Sequence, residues 1–160
     1  MGFIVRYADP LSDEARALIA ALDAELSGHY DDEHNFPVSP EELVDKKTDF
    51  FMAETFDGEK IGTIALRREK DYAEIKRMFV VPEHRGKGAA QALLKAAHES
   101  AMQHGHETVR LETGSYQAAA IKLYENAGYA RRPAFGDYPP ESEQNIYFEY
   151  ALPVEEATGS

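Results

Sequence analysis

Cysteine is missing from all 160 residues, which excludes disulfides, thiolate metal sites and any route through an acyl-cysteine. Positive charge is scarce: 17 basic residues stand against 29 acidic ones, a net charge of −12. That balance argues against nucleic-acid binding and favours solubility. No apolar run approaches the ~20 residues of a membrane span. The opening Met1-Gly2-Phe3-Ile4-Val5-Arg6 lacks the basic-then-apolar layout of a signal peptide. Arg6 also stands where a myristoylation motif requires Ser or Thr. The expectation is a cytoplasmic protein with no membrane and no nucleic-acid partner. His104-Gly105-His106 is the only metal-like spelling, and it has no acidic or histidine partners at ligand spacing, so no metal is expected.

What is present suits one soluble domain over residues 1–152, with 153–160 as a C-terminal tail. Strands are expected at Phe3–Ala8, Phe50–Phe56, Lys60–Arg67, from Ala73 to Val81, at Thr108–Thr113 and at Asn145–Leu152, with a short extended piece from Tyr129. Asp57-Gly58 is the hairpin turn between the second and third. Leu11, Ala15, Leu18, Ile19, Leu22 and Leu26 recur at helical spacing, giving a helix over 13–27 capped by Ser12 or Asp13 and ended by Gly28. Ser39-Pro40-Glu41-Glu42 has the layout of a second helix start. Ala90, Leu93, Leu94, Ala97 and Ala101 give a third helical face, closed by His104 and Gly105. Gln117–Asn126 gives a fourth helix.

The fourth strand carries three charges: Glu74, Lys76 and Arg77. Strict alternation puts Glu74, Lys76, Met78 and Val80 on one face, and Ile75, Arg77, Phe79 and Val81 on the other. Charges on a central strand are costly unless they border water or a cleft, which directs attention to Glu74. The strand runs into Arg85-Gly86-Lys87-Gly88-Ala89-Ala90 just where a helix begins. A helix start leaves four backbone N–H groups without intrahelical partners and carries about half a positive charge. Two glycines keep side chains out of an anion's way, and Arg85 and Lys87 add full charges. This is the composition of a seat for a phosphorylated ligand. A nucleoside triphosphate loop is excluded because Gly88 is followed by Ala89, Ala90 and Gln91, with no hydroxyl for magnesium. A dinucleotide fingerprint is excluded because Gln91 replaces its third glycine and five residues separate the strand from the turn.

The stretch resembles the acyl-CoA-binding motif of the GNAT superfamily of N-acyltransferases, [RQ]-x-x-G-x-[GA], with Arg85, Gly88 and Ala90 at its fixed places. Further on, Gln117-Ala118-Ala119-Ala120-Ile121-Lys122-Leu123-Tyr124-Glu125-Asn126-Ala127-Gly128-Tyr129 is similar to the family's N-x-x-A-I-x-L-Y-E-x-x-G-[FY], departing from it at Gln117. The resemblance runs from about Phe50 to Tyr150. It implies an α/β (α+β) fold with a central, mixed, mostly antiparallel sheet of six to seven strands flanked by about four helices. It also implies acetyl-CoA as co-substrate. Met78, Phe79 and Val80 would lie beside its pantetheine arm, and Arg85, Gly86, Lys87, Gly88, Ala89 and Ala90 would hold its pyrophosphate. Gln117 would bond the arm or nearby backbone.

The resemblance further implies direct transfer to a primary amine in a ternary complex. Glu74 would be the general base, a main-chain N–H near Phe79 or Val80 would meet the developing oxyanion, and Tyr124 would serve the departing thiolate. Tyr30 and His34, between the first two helices, and Tyr138, in Phe135-Gly136-Asp137-Tyr138, are the substrate-contact candidates. The expected partner is a small-molecule amine, with a homodimer possible among relatives. Two other readings stay open: a protein N-terminus or lysine as acceptor, and a non-catalytic acyl-CoA sensor.

Overall fold

The computed structural model describes residues 2–27 and 38–153. Within them, seven strands make one sheet in the order β1-β2-β3-β4-β5-β7-β6. The strands are β1 (Ile4–Tyr7), β2 (Thr48–Glu54), β3 (Lys60–Arg68), β4 (Ala73–Val80), β5 (Thr108–Gly114), β6 (Ala130–Arg132) and β7 (Asn145–Ala151). Every neighbouring pair is antiparallel except β4 and β5, which run parallel. Their connection passes through α2 (Ala89–Gln103), as a parallel crossover requires. The helices α1 (Asp13–Leu26) and α3 (Ala118–Asn126) complete the α-helical set among the described residues.

Alternation divides the core in two. Phe50 and Met52 of β2 and Ala65 of β3 turn to the face covered by α1, where Ala15, Leu18, Ile19 and Leu22 pack with Leu43. Phe51, Ala53, Ile64 and Leu66 turn to the opposite face, against Leu93, Leu94, Ala97 and Ala101 of α2 and Tyr124 of α3. Each fully buried aliphatic side chain removes apolar area worth ~1.5–3 kcal/mol. The start of α1 is fixed by Ser12, whose Oγ accepts from the Ala15 amide at 3.2 Å. The close approach of α2 depends on Gly62 of β3: a Cβ there would stand 2.8 Å from the Phe79 carbonyl oxygen and 3.0 Å from Leu93.

Two local expectations differ from what forms. After Pro40 there is no α-helix but a single 3-10 turn, Glu41–Leu43. The start signal is real, since Ser39 and Glu42 exchange capping-box bonds. The continuation fails because the Asp45 carboxylate takes the Lys47 amide at 2.7 Å, offering the backbone an alternative to the helix.

The second difference is a bulge in β4. Thr63 pairs with Phe79 and Ala65 with Lys76, so three steps on β4 oppose two on β3. Arg77 sits at φ 54, left-handed, at a cost of about 1–2 kcal/mol. Its carbonyl accepts from Thr63 Oγ1 at 2.7 Å. The bulge overturns strict alternation: Ile75 and Val80 share the α2 face, whereas Phe79 packs beneath α1. Arg77 also points to α1, donating to the Ile19 carbonyl at 3.2 Å and to Asp23.

Candidate active site

The site begins where β4 and β5 part. Only Ala73–Val109, Glu74–Arg110 and Ile75–Leu111 are paired. Beyond Ile75, β4 runs on to Val80 and β5 to Gly114 with no partner between them. Past the bulge, one edge of β4 therefore faces a cleft instead of a strand.

At one end of the cleft stands the N-terminus of α2. Gly88 is its N-cap at φ 96, and Gly86 precedes it at φ 76. Both conformations strain any residue with a Cβ. No side chain caps the helix, and its first turn holds no acidic residue. Its leading amides therefore point outward, at the positive end of the dipole. Arg85 is anchored beside them: its Nε donates to the Val80 carbonyl at 2.8 Å, its Nη2 meets Glu25 of α1 at 2.7 Å, and it lies over the Phe79 ring.

A cavity of about 640 Å³ extends from this tip along the cleft. Met78, Phe79, Val80, Arg85, Gly86, Gly88, Ala90 and Gln117 all line it, together with Tyr116. Two residues expected at the ligand do not line it. Lys87 is exposed to one side, and the Ala89 side chain is buried in the core beneath the helix. A second cavity of about 90 Å³ adjoins the first, sharing Leu22, Leu26, Met78, Gln117 and Tyr124.

Tyr124 stands at the junction, 6% exposed. Burial and then the nearby Glu112 carboxylate raise its pKa, so it is a protonated phenol at neutral pH. Gln117, at the start of α3, donates from Nε2 to the Tyr116 hydroxyl at 3.2 Å.

Tyr138 lines the smaller cavity. Its loop is held by ring contacts of Phe135 with Tyr72, Tyr138 and Tyr147. The Tyr138 hydroxyl donates to Glu74 Oε2 at 2.5 Å and accepts from Lys76 Nζ at 2.8 Å. Lys76 Nζ also lies 3.3 Å from Glu74. Glu74 is not part of either cavity wall; it sits behind Tyr138. Burial raises its pKa, against the lowering pull of Lys76 and then Tyr138. Tyr138 is itself raised by burial and by Glu74, so its proton stays on the phenol.

Sequence reasoning missed two residues of this chamber. Lys76 and Glu112 line it, and Glu112 accepts from Asn145 Nδ2 at 2.8 Å. The charge on β4 was visible; its direction was hidden by the bulge. Glu112, on a half-buried strand, carried no signal. Tyr30 and His34 lie outside the described residues. His104 and His106 each bond a main-chain carbonyl, of Ser100 and of Glu69.

A family model for the acetyltransferase (GNAT) family matches residues 15–129. The chain belongs to the GNAT family. It is therefore an enzyme of the N-acyltransferase class. Among curated GNAT relatives, an IAA acetyltransferase of Azospirillum brasilense is 37% identical over 134 residues, 82% of this chain and 87% of that protein. An N-acetylaspartate synthetase of Rattus norvegicus is 38% identical over 90 residues, covering 55% of this chain but only 30% of that longer protein. Among solved structures, a Klebsiella pneumoniae protein described as an acyl-CoA N-acyltransferase superposes with TM-score 0.80 at 32% identity, over 94% of this chain and 97% of its own. The PaiA N-acetyltransferase of Thermoplasma acidophilum, solved with coenzyme A, shares the fold at TM-score 0.72 and 19% identity, over 94% and 99% of the two chains.

Proposed function

We propose that this GNAT enzyme transfers the acetyl group of acetyl-CoA to the primary amine of a small molecule, by direct attack within a ternary complex. The observation that carries the reading is the continuity of the two cavities. One runs from an uncapped helix tip along the open edge of β4, and the other is a small chamber lined by Tyr138, Lys76 and Glu112. The cradle fits a diphosphate: two left-handed glycines, outward amides and an anchored arginine, with nothing within 4 Å of where a Cβ would project from Gly86 or Gly88. That the PaiA protein, of the same fold, was solved with coenzyme A supports CoA as the ligand. The small volume of the chamber, about 90 Å³, favours a small acceptor over a protein chain, as do the relatives named for IAA and N-acetylaspartate.

Acetyl-CoA supplies an already activated thioester; the chain supplies position and proton traffic. Gly86, Gly88, Ala90 and Arg85 bind the pyrophosphate, and the edge of β4 at Met78, Phe79 and Val80 lines the arm, with Gln117 opposite. Holding donor and acceptor together contributes up to ~7–11 kcal/mol to lowering the barrier. An alkylamine with a pKa near ~10.4 arrives protonated. Glu112 receives that ammonium in the chamber. Its proton then passes by way of the Tyr138 hydroxyl to Glu74. Burial raises the Glu74 pKa above the ordinary carboxylate value, which makes it a better proton acceptor than an exposed carboxylate. Tyr124, kept protonated by burial, donates to the thiolate.

The test is CoA-thiol release from acetyl-CoA against a panel of small amines. Amine-dependent release is the expected result. Binding of acetyl-CoA with no release by any amine or peptide would instead make the protein a sensor.

A further inference from the structure

The acceptor chamber already contains a primary amine. Lys76 is the only lysine among the described residues that line either cavity. Its side chain is 15% exposed, and its Nζ is tied to the proton-accepting pair Tyr138 and Glu74 at 2.8 Å and 3.3 Å. We propose that Lys76 is a site of self-acetylation, acting as the intramolecular acceptor when the chamber holds acetyl-CoA at its junction and no external amine. This rests on the proposed transfer to amines and adds a modification site to it.

The step balances without a further reactant. The Lys76 ammonium passes a proton to Glu74, leaving a neutral amine and a neutral carboxylic acid. The 3.3 Å separation of the two groups makes that transfer direct. Nζ then forms a bond to the acetyl carbon, the carbon–sulfur bond breaks, and the thiolate leaves with a proton from Tyr124. The second proton of the attacking nitrogen returns through solvent to Tyr124. The products are Nε-acetyl-Lys76 and CoA.

The modification would change the chamber. An amide has no charge to pair with Glu74 and leaves one N–H where the ammonium had three. The added acetyl group occupies a space of only about 90 Å³. Self-acetylation therefore closes the chamber to amines, and an external acceptor protects against it by occupying the same space.

Lys95 is the internal reference, since its side chain is 79% exposed on α2. The whole protein is incubated with acetyl-CoA alone, and acetylation is followed by intact mass and peptide mapping. Lys76 should acquire its acetyl at least about a hundredfold faster than Lys95, a margin well within what proximity supplies. The Lys76→Arg protein, which keeps the charge but cannot form the amide under these conditions, should lose the fast increment. Acetylation that reaches Lys95 first, or that spares Lys76 while external amines are acetylated, would overturn this inference alone. Failure to bind acetyl-CoA, measured by titration, would overturn it together with the proposed function.

Discussion

In the proposed reaction two carboxylates, Glu74 and Glu112, divide the work at the acceptor chamber, and single substitutions separate them. Glu74 lies behind Tyr138 with its pKa raised by burial, so kcat/KM should rise with pH as it ionises. Glu74→Gln should remove that limb and lower the rate by ~10²–10⁴-fold; a pH profile of unchanged shape would retire Glu74 as the proton acceptor. Glu112 lines the chamber itself, so Glu112→Gln should act mainly on KM for the amine. Steady-state kinetics on both variants, at several pH values, distinguishes the two roles. Sequence reading named Glu74 and Tyr138 but not their bond. Nothing in the spacing of residues 74 and 138 reports a 2.5 Å contact made across a sheet and a loop.

The turn into α2 and the bulge in β4 are the decisive pieces at the scale of the element. The turn was legible because its glycines, helix start and basic residues follow from local rules. Gly88→Val should weaken acetyl-CoA binding at least about tenfold, since Gly88 sits at φ 96, where a β-branched residue is strained and would pull the turn out of shape. Isothermal titration against acetyl-CoA checks this, and unaltered affinity would remove the pyrophosphate seat. The bulge was not legible. Its cause is a register slip between β3 and β4, fixed by Thr63 and by the ion pair of Arg77 with Asp23 on α1, both of which are long-range. Gly62 is a further tertiary constraint. Gly62→Ala would put a methyl 2.8 Å from a backbone oxygen and should destabilise the protein by about 1–3 kcal/mol, measurable as a lower midpoint in urea with an unchanged m-value.

Across the whole molecule, the mixed, mostly antiparallel sheet was legible in the family motifs, whereas the strand order and the place of its one parallel pair are set by long-range pairing. The acid response follows from single buried groups. His98 stacks on Tyr150 at 4.6 Å and meets the Tyr129 hydroxyl at 2.5 Å, and burial lowers its pKa from 6.5 to about 4. A depressed histidine keeps its stabilising contribution above 6.5 and loses it as pH falls towards 4. Glu74 has the opposite sign: raised above 4.5, it favours the folded state as it takes a proton on acidification. Protonation of this histidine in the unfolded chain should cost about 2 kcal/mol of stability by pH 4.5, after allowing for its partial exposure. Urea unfolding at pH 7 and pH 4.5 should therefore show a larger acid loss for the wild type than for His98→Phe, which keeps the stacking and has no proton to gain.

Beyond Ile75, the rungs that would join β4 to β5 are absent, so β1–β4 and β5–β7 meet along their shared seam through only three residue pairs. An occupant lodged in that gap acts as a splice, tying two half-sheets into one mechanical unit. Amide exchange on the far strands β6 and β7 should then slow when the gap is filled, even though neither strand borders it.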